Sequence, residues 1–285
     1  MNQFGGDWTA SRIEMLVEYA RAYLTIMNQY PRFQLIYFDG FAGTGLIERE
    51  KDGDSQTIVG AARRIIELEC PNESGKPRTF DLYYFVEKNT VKARKLKENL
   101  GEPPSLNKQV YVVTDDCNTR LKSLADYLRK PANKYWRALL YIDPFGMQVE
   151  WASIEHLKGL GIDMWILVPT GIGINRMLKK DGQIEDTWLA RLEKFLGMKK
   201  KDILAHFYQP STGLFPDHVN KEAEAGKKAG ELYRRRLQTI FDHVSPGYEI
   251  RNSVKALMYH FLLVSNNKAG LRIASDIIRK YEKLD

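Results

Sequence analysis

Cysteine is scarce: Cys70 and Cys117 are the only two in 285 residues, too few for a disulfide framework or a four-ligand zinc site. Apolar runs are short. None approaches the roughly 18 residues of a membrane-crossing helix. The opening "MNQFGGDWTASRIEM" has no basic stretch leading into an apolar core, so it does not read as a secretory leader. His156, His206, His218, His243 and His260 stand at no metal-ligand spacing with cysteines or carboxylates. No Ser or Cys occupies a nucleophile elbow. Internal repeats and low-complexity linkers are also missing. These absences predict a reduced, cytoplasmic, non-membrane protein with no metal site, and they leave its oligomeric state open.

Aromatic residues are plentiful, with 15 tyrosines, 12 phenylalanines and 5 tryptophans, which supplies a buried core and excludes a disordered chain. The net charge of +7 suits a nucleic-acid partner, because basic side chains that neutralise phosphates release counterions. A merely soluble surface would give the same charge.

Apolar periodicity over 10–29, with Ser11 and Glu14 at capping-box spacing, predicts a first helix beginning near Ser11. "QLIYF" reads as a strand ending at Asp39, and 57–70 as the next helix, with Ile58, Ala62, Ile65, Ile66 and Glu69 in its pattern. The charged stretch from Glu48 to Asp54 between them reads as a mobile lid. "DLYYFVE" is a second strand closed by Glu87, and "NTVKARKLKENL" its crossover helix. "QVYVVT" precedes Asp115 and Asp116, a helix follows over 118–129, and "ALLYI" precedes Asp143. "EWASIEHLKGL" is short and helical, and "DMWILV" ends at Pro169. These strands are continuous apolar runs separated by helices, the pattern of a parallel sheet covered on both faces. The fold expected is α/β: a doubly wound, mostly parallel, Rossmann-like sheet of class I methyltransferase type. Residues 1–285 read as one domain, with 171–245 a mostly helical insertion. "GYEIRNSV" and "ALMYHFLLVSN" then read as a β-hairpin before a last helix at 267–282.

Acidic and small residues recur at successive strand ends. The first strand ends in Asp39 and a turn holding Gly40, Gly43 and Gly45; the second ends in Glu87; the third is followed by Asp115, Asp116 and Asn118; the fourth ends in Asp143-Pro144-Phe145-Gly146. An S-adenosylmethionine site needs this order. Glycines let the backbone approach a cofactor. A carboxylate after the second strand accepts from ribose hydroxyls, and an Asp or Asn after the third takes an adenine amino group. Singly, each has a plainer reading as a tight turn, a solvated charge or a helix cap.

The "DPFG" turn at 143–146 resembles the "DPPY" and "NPPY" turns of amino-methyltransferases and the "DPFG" of tRNA guanine-N2 dimethyltransferases. The resemblance implies that Asp143 and a proline carbonyl hold an amine while Phe145 stacks on a base. Here the aromatic comes one position early and the second proline is missing. The alternative is a Pro-Gly turn that packs Phe145 into the core. After the fifth strand, Asn175 and Arg176 in "PTGIGINR" are candidates for a substrate phosphate. Arg234, Arg235 and Arg236, with Lys227 and Lys228 on one helix, are a weaker phosphate face.

Taken together, "DWTASRIEMLVEYARAYLTIM", "YFDGFAGTG", "YYFVEKN", "LLYIDPFGMQVEW", "DMWILVP" and "YHFLLVSNNKAG" resemble the three-Cys-motif partner proteins (TcmP) over most of the chain. That resemblance implies a class I methyltransferase fold and a three-Cys-motif protein as partner. It marks Asp39, Gly43, Gly45, Glu87, Asp116, Asp143, Pro144 and Gly146. Three functions stand as expectations. The first is S-adenosylmethionine-dependent methylation of an exocyclic base amine in DNA or RNA. The second is a non-catalytic module binding a three-cysteine protein or nucleic acid. The third is a magnesium-dependent nuclease with Asp39, Glu87, Asp115 and Asp143 as ligands.

Overall fold

The protein is described here by a computed structural model over residues 7–51, 54–72, 75–101, 108–179, 184–210, 219–221 and 224–283. Residues 180–183, 211–218 and 222–223 of the expected helical insertion, His218 among them, lie outside it. Helix α1 (Asp7–Met27) leads to β1 (Gln34–Asp39), a hairpin of β2 (Leu46–Lys51) and β3 (Asp54–Val59), and α2 (Ala61–Ile66). Strands and helices then alternate: β4 (Leu82–Val86), α3 (Thr90–Leu100), β5 (Gln109–Val113), α4 (Cys117–Arg129), β6 (Trp136–Ile142), α5 (Trp151–Glu155) and β7 (Ile162–Val168). Next come α6 (Asp186–Leu196), α7 (Lys200–Phe207), β8 (Tyr208–Pro210), β9 (Val219–Lys221) and α8 (Ala225–Leu237). The described chain closes with β10 (His243–Val244), β11 (Tyr248–Arg251), β12 (Leu257–Ser265) and α9 (Lys268–Glu282).

The fold is mixed α/β, with an eight-stranded, mostly parallel central sheet in the order β5-β4-β1-β6-β7-β12-β10, where β11 also pairs with β12. From β5 to β7 every pairing is parallel. Strand β12 enters antiparallel beside β7, and β10 and β11 run antiparallel to β12. The expected C-terminal hairpin is therefore present as β11 and β12.

Alternate residues of each central strand face opposite layers, and both layers are buried. Ile36, Phe38, Leu140 and Ile142 pack among α4, α5, α6, α7 and α8. Leu35, Tyr37, Leu139 and Tyr141 pack among α1, α2 and α9. Burial on both faces is why the sequence shows unbroken apolar runs. Tyr19 of α1 donates to Asp163 Oδ2 on β7 at 2.8 Å, and the Ser265 hydroxyl of β12 donates to the other oxygen. Burial raises the Asp163 carboxyl above its ordinary range. This buried clamp fixes α1 across the sheet.

Two expectations are corrected. Helix α1 starts at Asp7, not near Ser11, and Glu14 pairs with Arg64 of α2 instead of closing a capping box. The helix expected over 57–70 is confined to Ala61–Ile66, because residues through Val59 form β3, paired with β2 from Leu46↔Val59 to Lys51↔Asp54. The missed signal is Asp52-Gly53, a dipeptide that favours two-residue hairpin turns. Gly60 closes the hairpin base: its N–H donates to the Gly45 carbonyl at 2.9 Å, and a Cβ there would lie 2.6 Å from that oxygen.

Candidate functional site

In an open α/β sheet the ligand crevice lies where strand order reverses, at the carboxyl ends of the strands. Here that point falls between β1 and β6, where Asp39 is paired in register with Tyr141. The sheet carries the sequence-predicted carboxylates of the first four parallel strands to this one edge.

Asp39 is 2% exposed and accepts the Phe41 N–H at 3.0 Å. Burial raises its carboxyl to about 8; the Phe41 hydrogen bond opposes the shift, and the nearby Asp143 and Glu87 charges add to it. Gly40 is required by close approach, since a Cβ there would meet Cys117 Sγ at 2.6 Å. Ala42 N–H donates to the Val86 carbonyl at 3.0 Å, tying the turn to the end of β4. Gly43 and Gly45 both have positive φ, +60° and +75°, a region that carries a Cβ penalty for other residues.

Glu87 sits directly under this turn. One carboxylate oxygen accepts Gly43 N–H at 3.1 Å and the other accepts Asn89 N–H at 2.7 Å. Asn89 in turn caps α3 through its side chain. Asp116 caps α4 by accepting Asn118 N–H at 2.9 Å, and Lys88 Nζ lies 3.2 Å from its other oxygen. Its carboxyl is lowered: the Lys88 and Asn118 contacts outweigh the effect of burial. Asp115 turns to Arg120, whose Nε donates to it at 2.7 Å. The side chain of Asn118 clamps the segment after the "DPFG" turn, donating to the Gln148 carbonyl at 2.9 Å and accepting Glu150 N–H at 2.8 Å.

At the end of β6, Asp143 receives the Arg12 guanidinium on one oxygen and the Tyr141 hydroxyl, at 2.9 Å, on the other. Arg12 is 4% exposed. Burial alone would lower the Arg12 pKa, but the Asp143 charge, with Tyr141 and the hydrogen bond, raises it. Sequence reasoning missed both partners. The available signal was Arg12 itself, a charge on the same helical stripe as Leu16, Tyr19 and Tyr23, all buried in α1. Pro144 is buried but Phe145 is 64% exposed, with Lys92 Nζ 5.4 Å from its ring centroid. The packing of Phe145 into the core is thereby overturned. Gly146 is half-buried, with open space where a Cβ would point.

Asn175 ends a wide π-helical turn, Thr170–Asn175, in which Gly173 and Ile174 both donate to the Pro169 carbonyl. A Cβ on Gly173 would lie 3.7 Å from Met147 Cγ, so this turn borders the "DPFG" loop. Arg176 is exposed just beyond it. The arginine run of α8 is only partly free for phosphate: Arg234 donates to the Ser245 carbonyl and Arg236 to the Gly197 carbonyl, while Arg235 is exposed. Among the described residues no three of His, Cys, Asp and Glu are placed to share a metal ion. The four-carboxylate magnesium site of the nuclease expectation is therefore not assembled. No described helix is long and apolar enough to cross a membrane.

No family model matches the sequence, and no curated protein matches it. Among solved structures, a Legionella pneumophila (strain Philadelphia 1) protein of the DUF519 family model superposes over 94% of this chain and 92% of its own, with a TM-score of 0.50 and 12% identity. At that identity the likeness shows a shared fold alone. The Escherichia coli protein yhhF, whose assignment as a methyltransferase is itself provisional, is similar over 53% of this chain and 68% of its own at 13% identity. Its TM-score of 0.29 is too low to carry an argument. The comparisons lend no support to the three-Cys-motif partner resemblance, which rests on the quoted motifs.

Proposed function

We propose that the carboxyl edge of the sheet binds S-adenosylmethionine and directs its methyl group to an exocyclic amine of a nucleic-acid base. One juxtaposition carries this reading. The glycine turn is bonded to Glu87 at the switch point, and Asp143 directly follows the adjacent strand with Phe145 exposed beside it. Gly43, with open space where a Cβ would point, leaves the cradle free of a side chain, while Gly40 and Gly45 let the turn pack closely against Cys117 and Leu96. Glu87 would keep lone pairs for ribose hydroxyls after taking two backbone N–H groups, and Asp116, with Asp115 and Asn118 beside it, would take the adenine amino group. Bound there, S-adenosylmethionine supplies an electrophilic methyl on sulfur. Asp143 and the Pro144 carbonyl would hold the amine nitrogen, Phe145 would stack on the base, and Asn175 and Arg176 would meet a flanking phosphate. These residues would thereby serve a methyl transfer to that amine. Such a step depends mainly on alignment. We read residues 171–245 as an insertion within a single domain. Isothermal titration with S-adenosylmethionine tests the site; absence of binding at millimolar cofactor would sink it.

A second reading, a non-catalytic module of the same fold, is favoured by one observation: both Asp143 oxygens already hold donors from Arg12 and Tyr141. Co-purification with a three-cysteine protein, together with no methylation of DNA or RNA, decides for it.

A further inference from the structure

The opposite edge of the sheet carries a second surface of different chemistry. Strands β1 and β6 begin side by side, with Gln34 paired to Trp136, and the two segments that lead into them lie together. Gln34 N–H donates to the Tyr135 carbonyl at 3.0 Å and Phe33 N–H to the Tyr30 carbonyl at 3.1 Å. Their rings form a chain: Tyr30 to Phe33 at 6.3 Å between centroids, then Phe33 to Tyr135 at 6.3 Å. Tyr30 is 46% exposed and Tyr135 43%. Cations are threaded through the rings. Arg137 lies 4.1 Å and Arg32 5.0 Å from the Phe33 centroid, and Lys134 lies 5.1 Å from that of Tyr135.

Neither segment, 28–34 or 130–137, contains an aspartate or glutamate. Among the described residues no carboxylate is ion-paired to Arg32, Lys134 or Arg137. Burial and the neighbouring Arg32 lower the Arg137 pKa. Two guanidiniums thus converge on one half-buried ring with no carboxylate ion-paired to either, and Arg32 and Lys134 are exposed to solvent.

We propose that Tyr30, Arg32, Phe33, Lys134, Tyr135 and Arg137 form a second docking surface, for single-stranded nucleic acid. Exposed rings offer stacking platforms to unpaired bases, and interleaved cations take the backbone phosphates. A duplex hides its base faces, so it has no use for the rings. An acidic protein segment satisfies the cations but not the flat faces, which is why nucleic acid is the better match. Strand β1 separates this surface from the Asp39 edge by about 20 Å, at 3.3 Å per residue. A strand held here is gripped away from the carboxylates. The proposal goes beyond methyl transfer and does not depend on it.

The test is fluorescence anisotropy with a fluorescein-labelled 12-nucleotide oligouridylate and the matching oligothymidylate, without cofactor, across a salt series. Arg32→Glu with Lys134→Glu is expected to weaken binding at least tenfold and to lower the salt slope by about 1.4, two phosphates at roughly 0.7 each. Tyr135→Ala is expected to weaken binding about tenfold at every salt concentration through lost stacking. All three side chains are exposed, so circular dichroism and thermal unfolding should match the parent. Parent-like binding by both variants overturns the proposal. So does no binding by the parent at low salt, equal affinity for a 12-base-pair duplex, or equally effective competition by polyglutamate, which would mark an acidic protein as the partner. Failure to bind S-adenosylmethionine leaves this outcome untouched.

Discussion

The two edges of the sheet are built from the same strands and carry opposite chemistry. Strand β1 begins behind Arg32 and Phe33 and ends in Asp39; β6 begins behind Lys134 and Tyr135 and leads into Asp143. The polarity of a parallel sheet makes this separation natural. Helices α3 and α4 start at the carboxyl edge, where Asn89 and Asp116 cap them, and α4 ends at the other edge with Arg129 in its last turn. Helix dipoles favour anions at the first end and cations at the second. The difference lies in how charge is settled. At the carboxyl edge nearly every acid has an internal donor: Asp39 has Phe41 N–H, Glu87 has two amides, Asp115 has Arg120 and Asp143 has Arg12. At the amino edge Arg32, Lys134 and Arg137 are matched by rings and carbonyls, not carboxylates. The first edge is a preorganised polar site, and the second an open electrostatic one.

The largest break in this comparison is Arg12→Ala. It removes the internal cation from a partly buried carboxylate, the costly half of disrupting a buried pair, and should lower stability by about 3 kcal/mol in urea unfolding. Arg12→Leu combined with Asp143→Leu should cost less than the sum of the single changes, because neither charge is then stranded. Additive losses would show that the pair does not hold the edge together.

The acid series at this edge was legible because strand ends can be located from apolar runs, and a parallel sheet brings those ends together whatever their separation in sequence. Arg12 was not, because its partner lies 131 positions away and only the packing of α1 on β6 brings them together. The β2–β3 hairpin was hidden for a different reason: its many charges read as a mobile lid from Glu48 to Asp54, although Asp52-Gly53 is a hairpin-turn dipeptide. At the amino edge every residue was visible, but none stood in a recognised motif. The rings and cations become a surface only when 28–34 and 130–137 are set side by side.

Asp39→Asn sharpens the contrast through pH. A buried carboxyl whose pKa is raised to about 8 holds its proton in the folded state and loses it near pH 4 when unfolded. The folded protein therefore loses stability as pH rises from about 4 toward 8, by up to about 1.4 kcal/mol per pH unit, with little change beyond. The asparagine mimics the protonated form, so its stability should be nearly flat across that window. A parent protein equally stable at pH 5 and pH 8 would refute the buried, protonated Asp39. Gly43→Ala is smaller. Its φ of +60° costs an alanine about 1 kcal/mol, but nothing lies within 4 Å of the new Cβ. Stability should fall by that amount alone while S-adenosylmethionine affinity drops at least tenfold. Unchanged affinity would mean the turn is only a turn.

The smallest effect is expected at Lys88, where the two edges briefly resemble each other. Its side chain is 79% exposed, and its ammonium lies 3.2 Å from Oδ2 of Asp116, whose side chain is 36% exposed. Exposed pairs of this kind contribute about 0–1 kcal/mol, so Lys88→Ala should leave thermal unfolding nearly unchanged. The ligand consequence differs in sign from the stability consequence. Lys88 occupies the oxygen that would accept an adenine amino group, and its removal frees that acceptor while the α4 cap through Asn118 stays intact. S-adenosylmethionine should then bind with equal or up to about threefold higher affinity by isothermal titration, one exposed ion pair's worth. A marked loss of affinity would place Lys88 itself in contact with the cofactor and make this edge, like the opposite one, a site that works by open charge.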